Sequence, residues 1–269
     1  LVDTPETRSQ RARYFSEITF MDNAVGNVLK LLKDAGLEDD TLTIYASDHG
    51  SHWPREKKNM YDSGIKLPFI VRWPGKIKPG TRTEALASIV DIVPTFIDIA
   101  GGEVPWTIDG RSFKNVLLGK TDSHRSVIYA VHKGGREMNV YPIRSARKGK
   151  WKYIRNLNPE FYYTTHMDLV TPDSGKEARY FNRNWPSWVE AAKTNPEAAA
   201  FLRAYHSRPA EELYMIDKDP HEKVNLADNP KHKTVLESLR GMVAERMERV
   251  KDDRSLSGTP RLLKDHPLR

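Results

Sequence analysis

The residues best suited to chemistry are Asp48 and His49, which follow directly after the apolar run Thr41–Ala46. In open α/β sheets, ligands bind beyond the carboxyl ends of the strands, where the loops converge. A carboxylate beside an imidazole at such a point can hold a divalent cation, and Gly50 lets the backbone turn sharply after them. A plain turn with a capping aspartate fits the same residues, so the pair by itself leaves both interpretations open.

A second group with chemical potential is the basic pair Lys57 and Lys58, a few residues before Tyr61. An ammonium beside a metal-bound anion stabilises the negative charge that builds up on oxygen during group transfer. The alternative is an exposed basic loop that serves only solubility. His166, His206 and His221 have no partner at ligand spacing in the sequence, so we expect no site at them.

The elements around these residues alternate between helix and strand. Apolar spacing predicts a helix over residues 8–35 that stops at Gly36, and a buried strand in Thr41–Ala46. Leu67–Trp73 predicts a second strand, and Ser88–Ala100 returns to helical spacing. This order is typical of an α/β layer with a mainly parallel sheet.

The second half of the chain has a different pattern. Ser126–Val131 and Trp151–Asn156 predict strands of a smaller, separate sheet. The final stretch predicts one more helix, whose apolar residues between Val235 and Val250 share one face.

Composition narrows the classes of function. The 269 residues are 38% hydrophobic and 29% charged, as in ordinary globular proteins, and no apolar run is long enough to span a membrane. The net charge of +7 suits a sulfated or phosphorylated ligand, although scattered surface lysines and arginines would give the same value. No basic run interleaves with aromatic residues, so we expect no nucleic-acid partner. Without cysteine, the chain has no disulfide, thiolate metal site or cysteine nucleophile.

Several motifs together resemble the second half of the catalytic domain of type I sulfatases, in the alkaline-phosphatase superfamily. They are TLTIYASDHG, KKNMYDSGIKLPFIVRWPG, DIVPTFIDIAG, DGRS and ELYMIDKDPHEKVNLADNP, in the family's order and spacing. YPIRSARKGKWKYIRNLN is most similar to the heparan N-sulfatase (sulfamidase) branch. The resemblance implies an α/β, alkaline-phosphatase-like sandwich, of which residues 1–120 form the C-terminal part. It assigns residues 121–269 to a smaller α+β C-terminal subdomain with an antiparallel sheet.

The resemblance also implies roles for single residues. Asp48 and His49 match two ligands of the catalytic cation, which is usually calcium. Many members have Asn where His49 stands, and its softer nitrogen makes manganese the alternative. Lys57 matches the basic residue that contacts the sulfate, with Lys58 as a competitor one residue away. His132 and Arg144 are expected to contact the sugar, although Arg144 could equally tie two loops together through backbone carbonyls.

The family's nucleophile is a formylglycine made within a C/S-x-P-x-R motif, which this sequence does not contain. In Ser51–Arg55 and Ser257–Arg261 the proline follows the serine by three residues instead of two. We therefore expect the chain to be catalytically incomplete alone, with the rest of the site on a missing N-terminal segment or a companion chain.

The activity that the resemblance implies is hydrolysis of a sulfate ester or sulfamate on a glycosaminoglycan sugar, with N-sulfoglucosamine preferred. The implied setting is secreted, periplasmic or lysosomal; no signal peptide is visible in the printed sequence. One alternative is a phosphodiesterase or phosphonate hydrolase of the same superfamily. The other is a non-catalytic fragment that binds sulfated sugar.

Overall fold

A computed structural model describes residues 1–105, 107–169 and 184–265. The first helix, α1, covers Pro5–Asp34 and so begins three residues before the predicted start. Thr4 caps it, because its side-chain oxygen accepts a hydrogen bond from the Thr7 N–H, and Pro5 occupies the first turn, where a missing N–H costs nothing. Gly36, with φ of 68°, follows the helix and ends it as expected.

The remaining elements follow in chain order. The further helices are α2 (Asp62–Ile65), α3 (Ile92–Ile99), α4 (Lys114–Leu117), α5 (Asn184–Ala192), α6 (Pro196–His206) and α7 (Lys233–Arg249). The strands are β1 (Thr43–Ala46), β2 (Phe69–Arg72), β3 (Ile128–His132), β4 (Ile143–Lys148), β5 (Trp151–Asn156) and β6 (Glu211–Met215). Short 3₁₀ turns lie at Ile89–Asp91, Pro230–His232 and Leu263–Asp265.

The first two strands form an antiparallel pair, with Thr43 opposite Arg72. The prediction of a mainly parallel sheet is wrong for this pair. A parallel connection needs a crossover of a dozen or more residues, usually a helix packed on the sheet. Here the connecting segment contains only the four-residue helix α2, and the chain reverses direction.

The second sheet has four strands in the order β3-β4-β5-β6, and every neighbouring pair is antiparallel. This confirms the separate antiparallel sheet. Two of its strands were not predicted: β4 lies in the YPIRSARKGK segment and β6 in ELYM, where charged residues hide the apolar alternation. The charged side chains of these two strands pair with buried partners elsewhere in the chain, and a local sequence pattern does not show such pairs.

Helices cover both faces of the second sheet. Successive strand residues point to opposite faces, so Tyr153 of β5 packs in one apolar cluster and Ile154 in the other. Helix α7 contributes Leu239 to the Tyr153 side, while α5 and α6 contribute Trp188 and Leu202 to the Ile154 side. The core of the molecule therefore lies in its second half.

Helix α1 is mostly exposed despite its amphipathic pattern. Of the face predicted to be buried, Val25, Leu29 and Leu32 are half-buried, whereas Met21 and Val28 are exposed. Among the described helices, none combines the length and apolar character that crossing a bilayer requires.

Candidate active site

The turn after β1 presents Asp48 and His49 side by side. Asp48 Oδ1 accepts a hydrogen bond from the His49 N–H at 2.9 Å, and the Ser47 hydroxyl donates to the His49 carbonyl at 2.8 Å. The aspartate thus caps the turn with one oxygen. Its other oxygen, Oδ2, lies 3.4 Å from His49 Nε2, and its side chain is 83% exposed. The capping and ligand interpretations are therefore compatible.

The ring of His49 is oriented for ligation. Its Nδ1 lies 2.7 Å from the Gly50 carbonyl oxygen, which can only accept, so Nδ1 carries the proton. The Nε2 lone pair then faces the Asp48 carboxylate. A histidine that donates its second N–H to a backbone carbonyl is the usual arrangement of a metal ligand. The pair fits two positions of a divalent cation site, and no group of three or more candidate ligands occurs within the described residues.

Two glycines interlock this turn with the following loop. A Cβ on Gly50 would lie 2.0 Å from the Ser63 carbonyl oxygen, and one on Gly64 would lie 2.3 Å from that of Glu56. The Gly50 N–H also donates to the Gly64 carbonyl at 2.9 Å. Only glycine permits these backbone approaches. The loop that carries Lys57 is thereby fixed against the Asp48–His49 turn.

Lys57 and Lys58 both lie half-buried in this loop, but different contacts hold them. The Lys57 N–H donates to the Ser51 carbonyl at 3.0 Å, within the same loop. Lys58 has a left-handed backbone, with φ of 68°, and its carbonyl accepts from the Tyr163 hydroxyl at 3.0 Å. Burial lowers the pKa of the Lys58 ammonium, and the charge of Lys57 lowers it further. Within the described residues, neither ammonium has a hydrogen-bond or ion-pair partner.

Tertiary structure brings two further histidines to the site. His52 Nδ1 lies 2.8 Å from His166 Nε2 across 114 positions of sequence, and the His52 ring centroid is 6.1 Å from that of His49. Burial, followed by the charge of Lys58, lowers the pKa of His166 to about 4. The expectation of no site at His166 stays a prediction, but its ring has a partner that lies far away in sequence. No sequence signal could find this partner, because spacing reports only neighbours on one element.

His132 and Arg144 lie together at the edge of the second sheet. His132 Nε2 lies 2.5 Å from Asn139 Oδ1. Arg144 is 2% exposed; its guanidinium pairs with both oxygens of Asp252 and donates to the His132 carbonyl at 3.0 Å. The hydrogen bond from Arg144 holds the pKa of the Asp252 carboxyl below its usual range. Arg144 therefore ties strand β4 to the Asp252 loop through a carboxylate and to the end of β3 through a backbone carbonyl.

A buried charge network anchors the active-site loop to the second sheet. Asp62, at the start of α2, accepts from Lys152 at 2.5 Å and from Arg147 at 2.6 Å. Its backbone N–H donates to Glu222 at 2.6 Å, and Glu222 in turn lies 3.2 Å from the Lys152 ammonium. Lys152 and Glu222 are 0% and 2% exposed. Three segments far apart in sequence, around Asp62, in the β4–β5 hairpin and at Glu222, are joined here.

A second group of buried contacts, beside this network, holds Tyr61, the residue before Asp62. The Tyr61 hydroxyl donates to Glu212 at 2.7 Å, and Arg208 pairs with the same carboxylate at 2.8 Å while lying over the Tyr61 ring. Burial raises the pKa of Tyr61 to about 12, so its proton stays on the hydroxyl and can be donated. The loop from Asn59 to Asp62 is thus part of the core of the second half.

Comparison with known proteins shows which family the chain resembles. A sulfatase family model matches residues 2–102. Over 233 residues the chain is 35% identical to an ulvan-active sulfatase from Formosa agariphila, an alignment that covers 85% of this chain and 41% of that protein. Residues 2–102 are thus similar to a sulfatase domain. The chain is also 29% identical over 255 residues to the Homo sapiens N-sulphoglucosamine sulphohydrolase, covering 90% of this chain and 48% of the human protein.

Solved structures show the same fold. A putative sulfatase from Bacteroides thetaiotaomicron superposes with a TM-score of 0.64 at 23% identity, over 89% of this chain and 44% of that one. The phosphonate monoester hydrolase of Agrobacterium radiobacter gives 0.57 at 22% identity, over 91% and 42%. These likenesses establish the alkaline-phosphatase-like fold. The chain spans less than half the length of the relatives and structures it matches.

Proposed function

We propose that this chain supplies one half of the active site of a sulfatase that hydrolyses sulfate esters or sulfamates on glycosaminoglycan sugars, with N-sulfoglucosamine preferred. The observation that carries the proposal is the orientation of His49, whose Nε2 faces the Asp48 carboxylate 3.4 Å away while Nδ1 lies against the Gly50 carbonyl. The similarity to an ulvan-active sulfatase and to an N-sulphoglucosamine sulphohydrolase supports a sulfated saccharide substrate.

Each candidate residue has a distinct part in this proposal. Asp48 and His49 hold the divalent cation, with calcium expected and manganese as the alternative that the imidazole nitrogen favours. When bound, the cation polarises the sulfate group. Lys57 donates to the sulfate oxygens and stabilises their developing charge. His132 contacts the sugar, and Arg144 acts through it by holding its carbonyl oxygen.

The remaining groups must come from protein outside these 269 residues, either a segment preceding them or a companion chain. A secreted, periplasmic or lysosomal setting is proposed with the activity, since glycosaminoglycan sugars are met there. The test therefore uses the full-length protein or complex that contains a C/S-x-P-x-R motif. N-sulfoglucosamine, a 6-O-sulfated glucosamine and a phosphonate monoester are compared as substrates.

We expect Lys57→Met to lower kcat/KM on N-sulfoglucosamine by about 10²–10³-fold, as removal of one charge-stabilising donor does in other enzymes. Asp48→Asn should raise the concentration of calcium needed for half-maximal activity. Lys76→Met is the matched control, because Lys76 is an exposed lysine of the same half of the chain. Thermal melting of each variant separates lost chemistry from lost folding.

Three results would contradict the proposal. Full activity of Lys57→Met would remove its assigned role, and activity indifferent to chelation would remove that of Asp48 and His49. A preference for the phosphonate ester would favour a phosphonate hydrolase. The protein would instead be a non-catalytic sugar-binding protein if it bound heparin in a salt-sensitive, cation-independent way and hydrolysed no substrate.

A further inference from the structure

We propose that Lys58, His52 and His166 form a second anion-binding subsite, which takes a second sulfate or a carboxylate on the saccharide whose reacting sulfate meets Lys57. The inference rests on the proposed function, because Lys57 marks the position of the reacting group. It goes further in assigning a doubly anionic substrate, and in assigning it to residues from both halves of the chain.

The ammonium of Lys58 lacks the partners that a half-buried charge needs. It has neither an ion pair nor a hydrogen bond within the part of the chain that the structure describes. Its Nζ lies against Gly135, where an added Cβ would approach it to 3.0 Å. An unpaired buried charge is costly, so a half-buried ammonium without such a partner is suited to an external anion.

The backbone of Lys58 is fixed in a costly conformation. A lysine with φ of 68° is uncommon, and such residues persist only where the surroundings determine them. Here the Tyr163 hydroxyl holds the Lys58 carbonyl at 3.0 Å, and burial raises the pKa of Tyr163, so the donor keeps its proton. The second half of the chain therefore sets the direction of Lys58, whereas Lys57 is held within its own loop.

The histidine pair adds directional donors. His52 Nδ1 and His166 Nε2 share one proton across 2.8 Å. With that proton on His52 Nδ1, the His166 ring carries its own N–H on Nδ1, and an imidazole N–H is a good donor to sulfate or carboxylate oxygen. The ring planes stand at 90°, so the two imidazoles present different edges to the cluster.

The charge balance of the cluster favours an anion. Lys57 and Lys58 both lower the pKa of His52 and of His166, so positive charge converges on this point. The nearest acid from the second half, Asp168, is engaged by Thr164, Thr165 and Tyr205. Two carboxylates oppose this charge: the exposed Asp48, a proposed cation ligand, acts on His52, and Asp168 acts on Lys58.

Lys57 is held within its own loop and Lys58 by the second half of the chain, so the two ammonium groups are fixed separately. We therefore assign the Lys58 subsite to a second anionic group of the substrate. One sulfate that meets Lys57 leaves Lys58 uncompensated, and a second anionic substituent would pair with it. Two sources have this chemistry: a second sulfate on the same sugar, or the carboxylate of a neighbouring uronate. The substrates in the test separate them.

The experiment measures KM and kcat of the full-length enzyme on three substrates: N-sulfoglucosamine, glucosamine N,6-disulfate, and N-sulfoglucosamine linked to a uronate. We expect one of the two doubly anionic substrates to have a KM about tenfold below that of N-sulfoglucosamine, the effect of one charge-assisted contact. Lys58→Gln and His166→Asn should each reduce that preference towards one, chiefly through KM. Lys76→Gln should keep it.

Two outcomes overturn the inference. One is equal KM for all three substrates in the unmodified enzyme; the other is a Lys58→Gln variant whose preference is intact. Failure of the proposed function is a separate result, since it would show as no hydrolysis of any sulfated sugar. In that case, the subsite is tested by calorimetric measurement of glucosamine N,6-disulfate binding to the full-length protein. Binding that is about tenfold weaker in Lys58→Gln supports the subsite, whereas binding that is undiminished in this variant, or undetectable in the unmodified protein, contradicts it.

Discussion

Residues 1–120 and residues 121–269 differ in where their apolar side chains lie. Most exposed large hydrophobic residues of the described chain belong to the first region, on α1, β2 and α3, with Phe20 74% and Ile70 63% exposed. Nearly all buried ones belong to the second, where Leu213 and Trp188 are 0% exposed. Exposed apolar side chains in such number are typical of faces that pack against further protein. We propose residue 120 as the domain boundary, and the distribution of burial supports it.

The comparison also shows how the site is held. Val2, Met60 and Tyr61 of the first region pack in the core of the second. The loop that carries the lysines is therefore fixed from the side of the second region, while the other faces of the first region are open. The packing of Met60 and Tyr61 in the second core therefore positions the lysine loop independently of the exposed faces of the first region.

The largest effect on stability is expected at Lys152, where buried charged side chains join the two regions. Lys152→Met should lower the free energy of unfolding by about 3–5 kcal/mol, because it leaves Glu222 buried without its cation. Urea unfolding measures this, and Lys148→Met, which removes an exposed lysine of the same sheet, should change it by less than about 0.5 kcal/mol. Equal small changes in both variants would show that the network does not hold the loop.

A matched pair of truncations tests the difference in burial directly. In the 269-residue chain, Leu213→Ala should cost about 2–5 kcal/mol, because it opens a cavity in the second core. Ile70→Ala, on the open face of β2, should cost less than about 1 kcal/mol. If the two variants lost the same stability in urea unfolding, the faces of the first region would be as well covered as the second core.

Asp91 makes a pH-dependent contribution to stability at a contact between the two regions. Burial raises the pKa of this carboxyl, but hydrogen bonds from Arg125 and from the Arg111 and Ser88 N–H groups outweigh it and hold the pKa at about 2. A carboxyl whose pKa is lowered on folding stabilises the fold above its unfolded value of 3.8, and this stability is lost as the pH falls towards 2.

Asp91→Asn should therefore lower the free energy of unfolding at pH 7 by about 2 kcal/mol. Its difference from the unmodified chain should shrink between pH 4 and pH 2, as followed by urea unfolding at each pH. Asp39→Asn, at an exposed position of the first region, serves as the control. A difference that stays constant down to pH 2 would contradict the assignment to ionised Asp91.

The smallest effect on stability is expected on the exposed face of α1. Phe20→Glu should change the free energy of unfolding by about 0.5 kcal/mol or less, since the side chain is 74% exposed. It should nevertheless reduce self-association of the 269-residue chain in analytical ultracentrifugation. Met138→Glu, at an exposed apolar position of the second region, should have little effect on association. An unchanged or larger assembly of the Phe20 variant would mean that α1 is not the associating face.

Local sequence determined much of this protein. The apolar spacing of α1, β1, β5 and α7 predicts those elements, because each follows from the period of its own backbone. The order Asp48, His49, Lys57 likewise places three candidate groups on one loop after a strand. Strands β4 and β6 could not be predicted in this way, since Arg144 and Glu212 are buried there only because Asp252 and Arg208 compensate them.

What only the tertiary structure decided are the contacts between distant segments. His52 and His166 are 114 residues apart, and no periodicity can indicate that their rings meet. The antiparallel pairing of β1 with β2 and the burial of Lys152 have the same origin. Propensity and periodicity act over a few residues, whereas burial of charge and strand partnership depend on what the whole chain packs against them.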